Sequence, residues 1–413
     1  MNNLLSFLLL ILVIASCKNP SSKTGNETND STGNVSSNIK HFSSPADSVS
    51  AEPCLFTDKN GLVYLSWIEK TQKRSFLKFS TLNNEQWSEP IVISSGDNWF
   101  VNWADYPLLA SDGANSMVAH FLEKSEPGKY TYDVKIVTSA DKGKTWSSSK
   151  ILHDDGKKAE HGFVSIIPYR DDYFIAWLDG RNSAMETSGE HGEGHHGQMT
   201  IRGAVIDKQG NKSSEWELDN RVCDCCQISV AITSNGPIVV YRDRSEKEIR
   251  DISIVRLVNG QWTSPKPVFS DNWTIDGCPV NGPRADALGN SLAVAWFSSP
   301  DKNAQVNVVF SADGGATFNA PVRIDEGKGI GRVDILMLDE NSAIVSWMEG
   351  AAIKAAKIHI DGKKEQSIII ASSSESRSSG FPQMTRTGNS LVFAWTDDKE
   401  KTIKVASFPL ESF

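Results

Sequence analysis

The heptapeptide YFIAWLD, residues 173–179, has a pattern that recurs along this 413-residue chain, and the recurrence indicates the fold. It is a short apolar run that ends in an aromatic residue, Trp177, and such a run between turn residues predicts a buried β-strand. Six further segments have this form: VYLSWIE (63–69), MVAHFLE (117–123), PIVVYRD (237–243), LAVAWFS (292–298), AIVSWME (343–349) and LVFAWTD (391–397). Their aromatic residues follow at spacings of 54, 56, 64, 55, 51 and 48 residues, which indicates an internal repeat.

The repeat predicts the architecture as well as the strand. An acid stands two positions after the aromatic residue in six of the seven segments: Glu69, Glu123, Asp179, Asp243, Glu349 and Asp397. Short strand-like runs and Asp/Asn/Gly turns fill each unit, and helical periodicity is almost absent. We therefore predict an all-β protein, a β-propeller of seven four-stranded antiparallel blades, with six blades as the alternative. The last unit has room for only about three strands, so NIKHFSSP (38–45) is a candidate to complete it.

Two turns carry a more specific pattern. SADKGKTWSS (139–148) and SADGGATFNA (311–320) both match S-x-D-x-G-x-T-[W/F]. We expect a tight hairpin in which Asp141 accepts backbone N–H groups, Gly143 adopts positive φ and Trp146 packs beneath the turn. The pattern is the Asp box, and residues 51–413 resemble a sialidase-like (BNR/Asp-box repeat) β-propeller. The Asp boxes are structural and indicate no catalysis.

The first 17 residues predict export and a lipid anchor. An apolar run over residues 4–15 is shorter than the roughly 20 residues that span a bilayer, and it fits a signal peptide. The following IASC (14–17) resembles the lipobox of bacterial lipoproteins, which makes Cys17 the predicted lipidation site, although MNN (1–3) lacks the usual Lys or Arg. A plain signal peptide or a short buried helix is the alternative. Residues 18–50, rich in Ser, Asn, Thr and Gly, are expected to form a solvated tether.

These features predict where the protein lies and what it does not bind. We expect a monomer that is lipid-anchored in the cell envelope, with the membrane as a partner through its N-terminal lipid. The formal net charge of -9 argues against a nucleic-acid partner.

The unusual polar residues are predicted to share one face of the ring. In a propeller, the loops between blades and those after the aromatic strand lie at the top, where function usually sits. The predicted metal-ligating residues on that face are Cys223, Cys225, Cys226, Cys278, His161, His191, His195 and His196. The last three belong to an insertion after strand 173–179, which explains the long spacing of 64 residues.

The stretch RVCDCCQISV (221–230) places three of the six cysteines within four residues. In an exported protein a disulfide is the first expectation, such as Cys223 or Cys225 with Cys278, or a vicinal Cys225–Cys226 bridge. The competing hypothesis is a metal site, in which a turn brings three thiolates together and Cys278, His161 or the inserted loop completes the set. Sulfur and imidazole suit Cu(I) or Zn(II), so copper is the first candidate and zinc the second. Other redox chemistry is the third alternative.

The resemblance also raises the question of sialidase activity. Sialidases hold the substrate carboxylate with three arginines and use a Tyr nucleophile and an Asp acid/base. The first arginine normally opens blade 1 in an R-I-P stretch, where this chain has AEPC (51–54) with Ala51 instead. The remaining catalytic candidates are Asp105, Tyr106, Arg181, Arg284 and Arg332. Structural ion pairing is the alternative role of these arginines. We predict that the protein does not release sialic acid. The alternative functions are an exo-acting glycoside hydrolase of the sialidase type, another glycosidase or a lyase, and carbohydrate binding.

Overall fold

The computed structural model describes residues 38–128, 130–183 and 198–413. The described residues form thirty β-strands that group into seven antiparallel sheets, joined by turns and a few single-turn 3-10 helices. The prediction of an all-β propeller with seven blades is confirmed, and the alternative of six is excluded. In the described part of the chain, no helix has the length and apolarity needed to cross a membrane.

The chain order of the strands is the order of the blades, except for the first strand. That strand is β1 (Lys40–Phe42). Blade 1 contains β2 (Ser50–Thr57), β3 (Val63–Lys70), β4 (Ser75–Asn83), β5 (Gln86–Trp87) and β6 (Ile91–Gly96). Blade 2 contains β7 (Leu109–Ser111), β8 (Met117–Lys124), β9 (Tyr132–Ser139) and β10 (Lys150–Ile151). Blade 3 contains β11 (His161–Tyr169), β12 (Asp172–Asp179), β13 (Thr200–Ile206) and β14 (Lys212–Asp219).

The remaining blades follow the same plan. Blade 4 contains β15 (Ser229–Thr233), β16 (Gly236–Arg242), β17 (Ile252–Val258), β18 (Gln261–Trp262) and β19 (Lys266–Phe269). Blade 5 contains β20 (Arg284–Leu288), β21 (Ser291–Ser298), β22 (Gln305–Ser311) and β23 (Val322–Arg323). Blade 6 contains β24 (Gly329–Asp339), β25 (Ser342–Glu349), β26 (Ala352–His359) and β27 (Ile368–Ser372). Blade 7 contains β28 (Gln383–Thr387), β29 (Ser390–Asp397) and β30 (Thr402–Pro409), completed by β1.

Blades 1 and 4 have a divided outer strand. In each, two short strands pair with the third strand of the blade, so these sheets have five strands instead of the predicted four. The division follows a two-residue hairpin in which both turn residues have positive φ: Asn84 and Glu85 in blade 1, Asn259 and Gly260 in blade 4. Such a two-residue turn reverses the chain direction tightly, and the segment that follows it pairs with the third strand over only two residues.

The N-terminal strand closes the ring. Strand β1 pairs antiparallel with β30, with Lys40 opposite Ser407 and Phe42 opposite Val405. The Phe42 ring also stacks on Trp87 of blade 1, with ring centroids 6.2 Å apart. The predicted closing segment is therefore confirmed, and it lies inside the stretch 18–50 that the composition assigned to the tether.

The repeated aromatic residue lies on the second strand of every blade and is buried: Trp67, Phe121, Trp177, Tyr241, Trp296, Trp347 and Trp395. The acid two positions later satisfies the buried indole in blade 3, where Trp177 Nε1 donates to Asp179 at 2.8 Å. In blade 5, which lacks that acid, Trp296 donates instead to Asp271 at 2.6 Å. The acid after the aromatic residue thus satisfies the buried indole in blade 3 and also in blade 6, where Trp347 donates to Glu349 at 2.8 Å, whereas in blade 1 the Trp67 indole has no such partner and Glu69 pairs with Lys78.

The two Asp boxes adopt the predicted hairpin. In the first, Asp141 accepts the Thr145 backbone N–H at 2.9 Å, Gly143 has a φ of 78°, and the Trp146 indole donates to the Gly143 carbonyl at 3.0 Å. The hydrogen bonds from Thr145 hold the pKa of Asp141 at about 2. In the second box, Asp313 accepts the Thr317 backbone N–H at 2.8 Å and Gly315 has a φ of 83°, while Phe318 takes the place of the tryptophan.

Candidate functional site

The cysteine-rich stretch forms a turn between β14 and β15. The turn is held by two backbone hydrogen bonds, from Val222 N–H to the Met199 carbonyl at 2.9 Å and from Cys223 N–H to the Arg242 carbonyl at 3.0 Å. The Cys223 Sγ atom lies 3.5 Å from Cys226 Sγ and 4.0 Å from Cys225 Sγ. The structure therefore brings the three predicted thiols together at one point.

The cluster is buried and lies beside positive charge. Cys223 and Cys226 are each 1% exposed, and Arg250 donates from Nη1 to Cys223 Sγ at 3.2 Å. Hydrogen bonds with Cys225 and Cys226, together with the nearby guanidinium groups of Arg250 and Arg242, lower the pKa of the Cys223 thiol well below its usual range, although burial opposes this shift. These neighbours therefore favour the thiolate form of Cys223.

The fourth cysteine of the predicted set, Cys278, is exposed and lies in the loop between β19 and β20. Its pKa is lowered, and the largest cause is a hydrogen bond with Cys225, so the two thiols are neighbours. All five described cysteines are free, and the sulfur separations of 3.5 and 4.0 Å exceed a disulfide bond of about 2.05 Å. The predicted disulfide is thus not present among them. The fifth, Cys54, lies on β2 and is not a member of the cluster.

The histidines of the predicted set are placed differently. His161 is fully buried at the start of β11, where its Nε2 lies 2.8 Å from Asp155 and 3.6 Å from Asp179. It groups with carboxylates and does not join the three thiols. His191, His195 and His196 lie outside the described residues, in the stretch 184–197.

The three candidate arginines each have internal partners. Arg181 donates to Asp179 at 2.7 and 2.8 Å, and it also contacts Asp155 and Glu215. Arg332 donates to Ser379 Oγ at 2.7 Å and to three backbone carbonyls. Arg284 donates to the Tyr106 hydroxyl and lies 3.9 Å from Asp334. These contacts fit the structural role and leave the absence of sialidase activity as a prediction.

Asp105 and Tyr106 are buried between blades. Asp105 accepts the Phe163 backbone N–H at 2.8 Å, and burial raises its pKa to about 8. Burial likewise raises the pKa of Tyr106 to about 12. A phenol with a raised pKa is a weak nucleophile at neutral pH, because a nucleophilic hydroxyl needs a lowered pKa or an adjacent base.

A cavity of about 200 Å³ runs along the ring axis, lined by the first strand of every blade. Its walls include Arg284 and Asp334. The candidate residues Cys223, Cys225, Cys226 and Cys278 are not among the lining residues, so the thiol cluster is a separate feature of the propeller.

Three functional candidates escaped the sequence analysis: His153, Asp133 and Asp155 lie with His161 in one buried group. A pattern was present in the sequence, since two histidines eight positions apart flank Asp155. A spacing of eight residues does not predict proximity in a loop, so only the fold shows that these two histidines lie close together.

The model of the BNR repeat-like domain matches residues 74–393, most of the propeller. The chain belongs to the BNR repeat-like domain family. No protein of curated function matches this BNR chain in sequence.

Solved structures share the propeller at low identity. The polysaccharide lyase Uly1 has a TM-score of 0.52 at 8% identity, with 87% of this chain and 90% of that chain covered. The Hadza microbial sialidase Hz136 has a TM-score of 0.41 at 13% identity over 73% of this chain, and the match spans 66% of its own length, just under two thirds. A PL25 polysaccharide lyase, an ulvanlyase, has a TM-score of 0.46 at 14% identity, with 75% and 79% covered. At these identities the likeness concerns the fold alone.

Proposed function

We propose that this BNR propeller binds one Cu(I) or Zn(II) ion through Cys223, Cys225 and Cys226, with Cys278 as a fourth ligand. The convergence of the sulfur atoms carries the proposal. Sulfurs arranged tetrahedrally around a metal at about 2.3 Å lie roughly 3.8 Å apart. The distances of 3.5 and 4.0 Å from Cys223 Sγ bracket that value, so little movement is needed to bind an ion.

The surrounding charge supports the same interpretation. Three or four thiolates carry more negative charge than a Cu(I) or Zn(II) ion neutralises. The Arg250 guanidinium, 3.2 Å from Cys223 Sγ, and the buried Arg242 offset the excess. Arg250 is itself held by Glu248 at 2.7 Å, which fixes the direction of its N–H groups. Such outer groups orient metal ligands and tune affinity.

The two metals differ in their need for Cys278. Zn(II) in structural sites takes four ligands, whereas the soft Cu(I) ion is well served by the thiolates alone. The exposed position of Cys278 makes it the ligand that distinguishes the metals. A Cys278→Ser variant should lose affinity for Zn(II) and largely keep its affinity for Cu(I).

The test is a metal titration of the exported chain under anaerobic, reducing conditions. Chelator competition should show one bound equivalent, and Cys225→Ser should weaken binding by at least about tenfold, the scale of perturbed metal ligation. Cys54→Ser is the matched control, because Cys54 is a buried free thiol away from the cluster. No binding at micromolar metal, or an equal loss in Cys54→Ser, would show that the thiols serve another purpose.

We also propose that Cys17 carries a lipid that holds the propeller in the cell envelope. The support is the lipobox-like IASC (14–17) after an apolar run of signal-peptide length. Labelling cells with a radioactive fatty acid should mark the wild-type protein and leave Cys17→Ala unlabelled. Label in both proteins would contradict the anchor.

A further inference from the structure

A second group of metal-ligating side chains lies between blades 2 and 3, outside the thiol cluster. His153 follows β10 and His161 opens β11, and their rings stack with centroids 3.5 Å apart and planes 3° from parallel. His153 is 5% exposed and His161 is 0% exposed. Both imidazole rings are therefore buried, and burying their polar nitrogens costs free energy unless those nitrogens find polar partners.

Asp155 contacts one nitrogen of each ring along one edge of the stacked pair. Its Oδ1 lies 3.1 Å from His153 Nδ1, and its Oδ2 lies 2.8 Å from His161 Nε2. Arg181 lies 3.3 Å from Oδ2, which favours the ionised carboxylate. Because a carboxylate only accepts hydrogen bonds, both ring nitrogens that face it must donate. In a neutral ring, this donation fixes the tautomer and leaves a lone pair on the other nitrogen.

Those other nitrogens are the ones without a hydrogen-bond partner. His153 Nε2 and His161 Nδ1 are both buried and unpaired. A further carboxylate, Asp133 on β9, is 5% exposed, and its Oδ1 lies 3.5 Å from His153 Nε2 without hydrogen-bond geometry. Asp133 forms no ion pair with Lys or Arg anywhere in the described chain. A buried carboxylate and two buried, unpaired imidazole nitrogens therefore belong to one group of side chains, and no Lys or Arg of the described residues pairs with that carboxylate.

We propose that His153, His161 and Asp133 form a second metal site, for a first-row divalent cation such as Zn(II) or Fe(II). Each of the three residues places one donor atom within 4.8 Å of the other two. Two imidazoles and one carboxylate are the ligand set that such borderline ions prefer, with open positions left for water or substrate. Asp155 is the supporting carboxylate that metal-bound histidines usually contact through their second nitrogen.

The neighbouring acidic group is a poorer candidate. Asp155, His161 and Asp179 also lie close together, but Arg181 already contacts both carboxylates. Its guanidinium provides the positive charge there. Binding at the Asp133 side requires one adjustment, since parallel rings 3.5 Å apart must splay to direct both lone pairs at a single ion.

The experiment uses cobalt(II) as the probe, because thiolate ligation gives an intense near-ultraviolet charge-transfer band that nitrogen and oxygen ligation lacks. Wild-type protein should bind two equivalents. His153→Gln should bind one and keep the charge-transfer band, and Asp133→Asn should weaken the second equivalent at least about tenfold. His120→Gln is the matched control, since His120 is a buried histidine with an unpaired Nε2 outside the group.

The two proposals fail in distinguishable ways. If the thiols bind no metal, the charge-transfer band is absent while one equivalent still binds and is lost in His153→Gln. If His153→Gln binds as many equivalents as wild type, or if His120→Gln loses the same equivalent, the second site is refuted. Near-ultraviolet circular dichroism of each variant verifies that the fold is retained.

Discussion

Arg242 joins the chain segments around the thiol cluster through hydrogen bonds, and we expect the substitution Arg242→Met to destabilise the protein strongly. The side chain is 1% exposed, yet within the described residues it forms no ion pair with a carboxylate. Instead, the guanidinium donates to the backbone carbonyls of Asn281 at 2.8 and 3.1 Å, Phe297 at 2.6 Å and Arg250 at 2.6 Å. It also lies 5.0 Å from the centroid of the Trp273 ring. These contacts tie the second strand of blade 4 to the loop that carries Cys278.

The expected loss follows from the carbonyl groups that the substitution leaves behind. Three buried acceptors lose their donors, and each unsatisfied buried group costs about 1–3 kcal/mol. The sum is about 3–9 kcal/mol, from which the burial of a methionine recovers about 1–2 kcal/mol. A loss of roughly 1–8 kcal/mol, with a midpoint of about 4–5 kcal/mol, is a large part of the 5–15 kcal/mol by which a typical domain is stable.

Urea unfolding followed by tryptophan fluorescence measures the difference at unchanged m-value. Lys404→Met is the control, because Lys404 is 36% exposed, its partner Glu400 is 61% exposed, and such pairs are worth about 0–1 kcal/mol. The reasoning is refuted if Arg242→Met changes the free energy of unfolding by no more than Lys404→Met does. That result would mean that the cost of burying an unpaired guanidinium cancels its four hydrogen bonds.

Two further predictions concern pH and backbone conformation. Burial raises the pKa of Asp105 to about 8, so the native state keeps a proton that the unfolded chain releases near pH 4. The contribution of Asp105 to stability is therefore complete below about pH 4 and is lost as the pH rises toward 8, at up to about 1.4 kcal/mol per pH unit. Asp105→Asn should flatten this pH dependence when the free energy of unfolding is measured by urea titration between pH 5 and 8. Equal slopes in both proteins would contradict the raised pKa of Asp105. Gly315→Ala should destabilise by about 2–4 kcal/mol, because a φ of 83° disfavours an L-residue and the new Cβ would lie 2.7 Å from Ile254. Gly260 is the control, because it has a φ of 79° and open space around it, so Gly260→Ala should cost only about 1 kcal/mol. Thermal unfolding of both variants measures the two losses, and equal losses would show that the contact with Ile254 is irrelevant.

The number of blades was predictable because every blade buries the same kind of residue at the same place. Trp67 and Trp395 are far apart in the chain, yet each lies on the second strand of a blade. Counting this one local pattern therefore gives the number of blades. The divided outer strands of blades 1 and 4 were not predictable, because two-residue strands such as Gln86–Trp87 carry too few residues for any periodicity.

The candidate site was predictable only where its members are close in sequence. Cys223, Cys225 and Cys226 share one turn, and their convergence needs nothing beyond that turn. His153 and Asp133 meet because a strand and a loop pack together, and no local pattern records such a meeting. The partners of Arg332 are largely backbone carbonyls, which every residue possesses, so its structural role could not be inferred from residue types.

The pairing of β1 with β30 also determines how the molecule bears mechanical load. The three residue pairs of this contact join positions more than 360 residues apart in the chain, for example Phe42 with Val405. A lipid on Cys17 would pass a pull from the membrane into β1, the first strand of the described residues. The pairing of this short strand, the packing of Phe42 on Trp87 and the ion pair of Lys40 with Glu85 would resist the force. The ring would therefore open at blade 7 first, while the thiol cluster at the entry to blade 4, three blades away, stayed under the least tension.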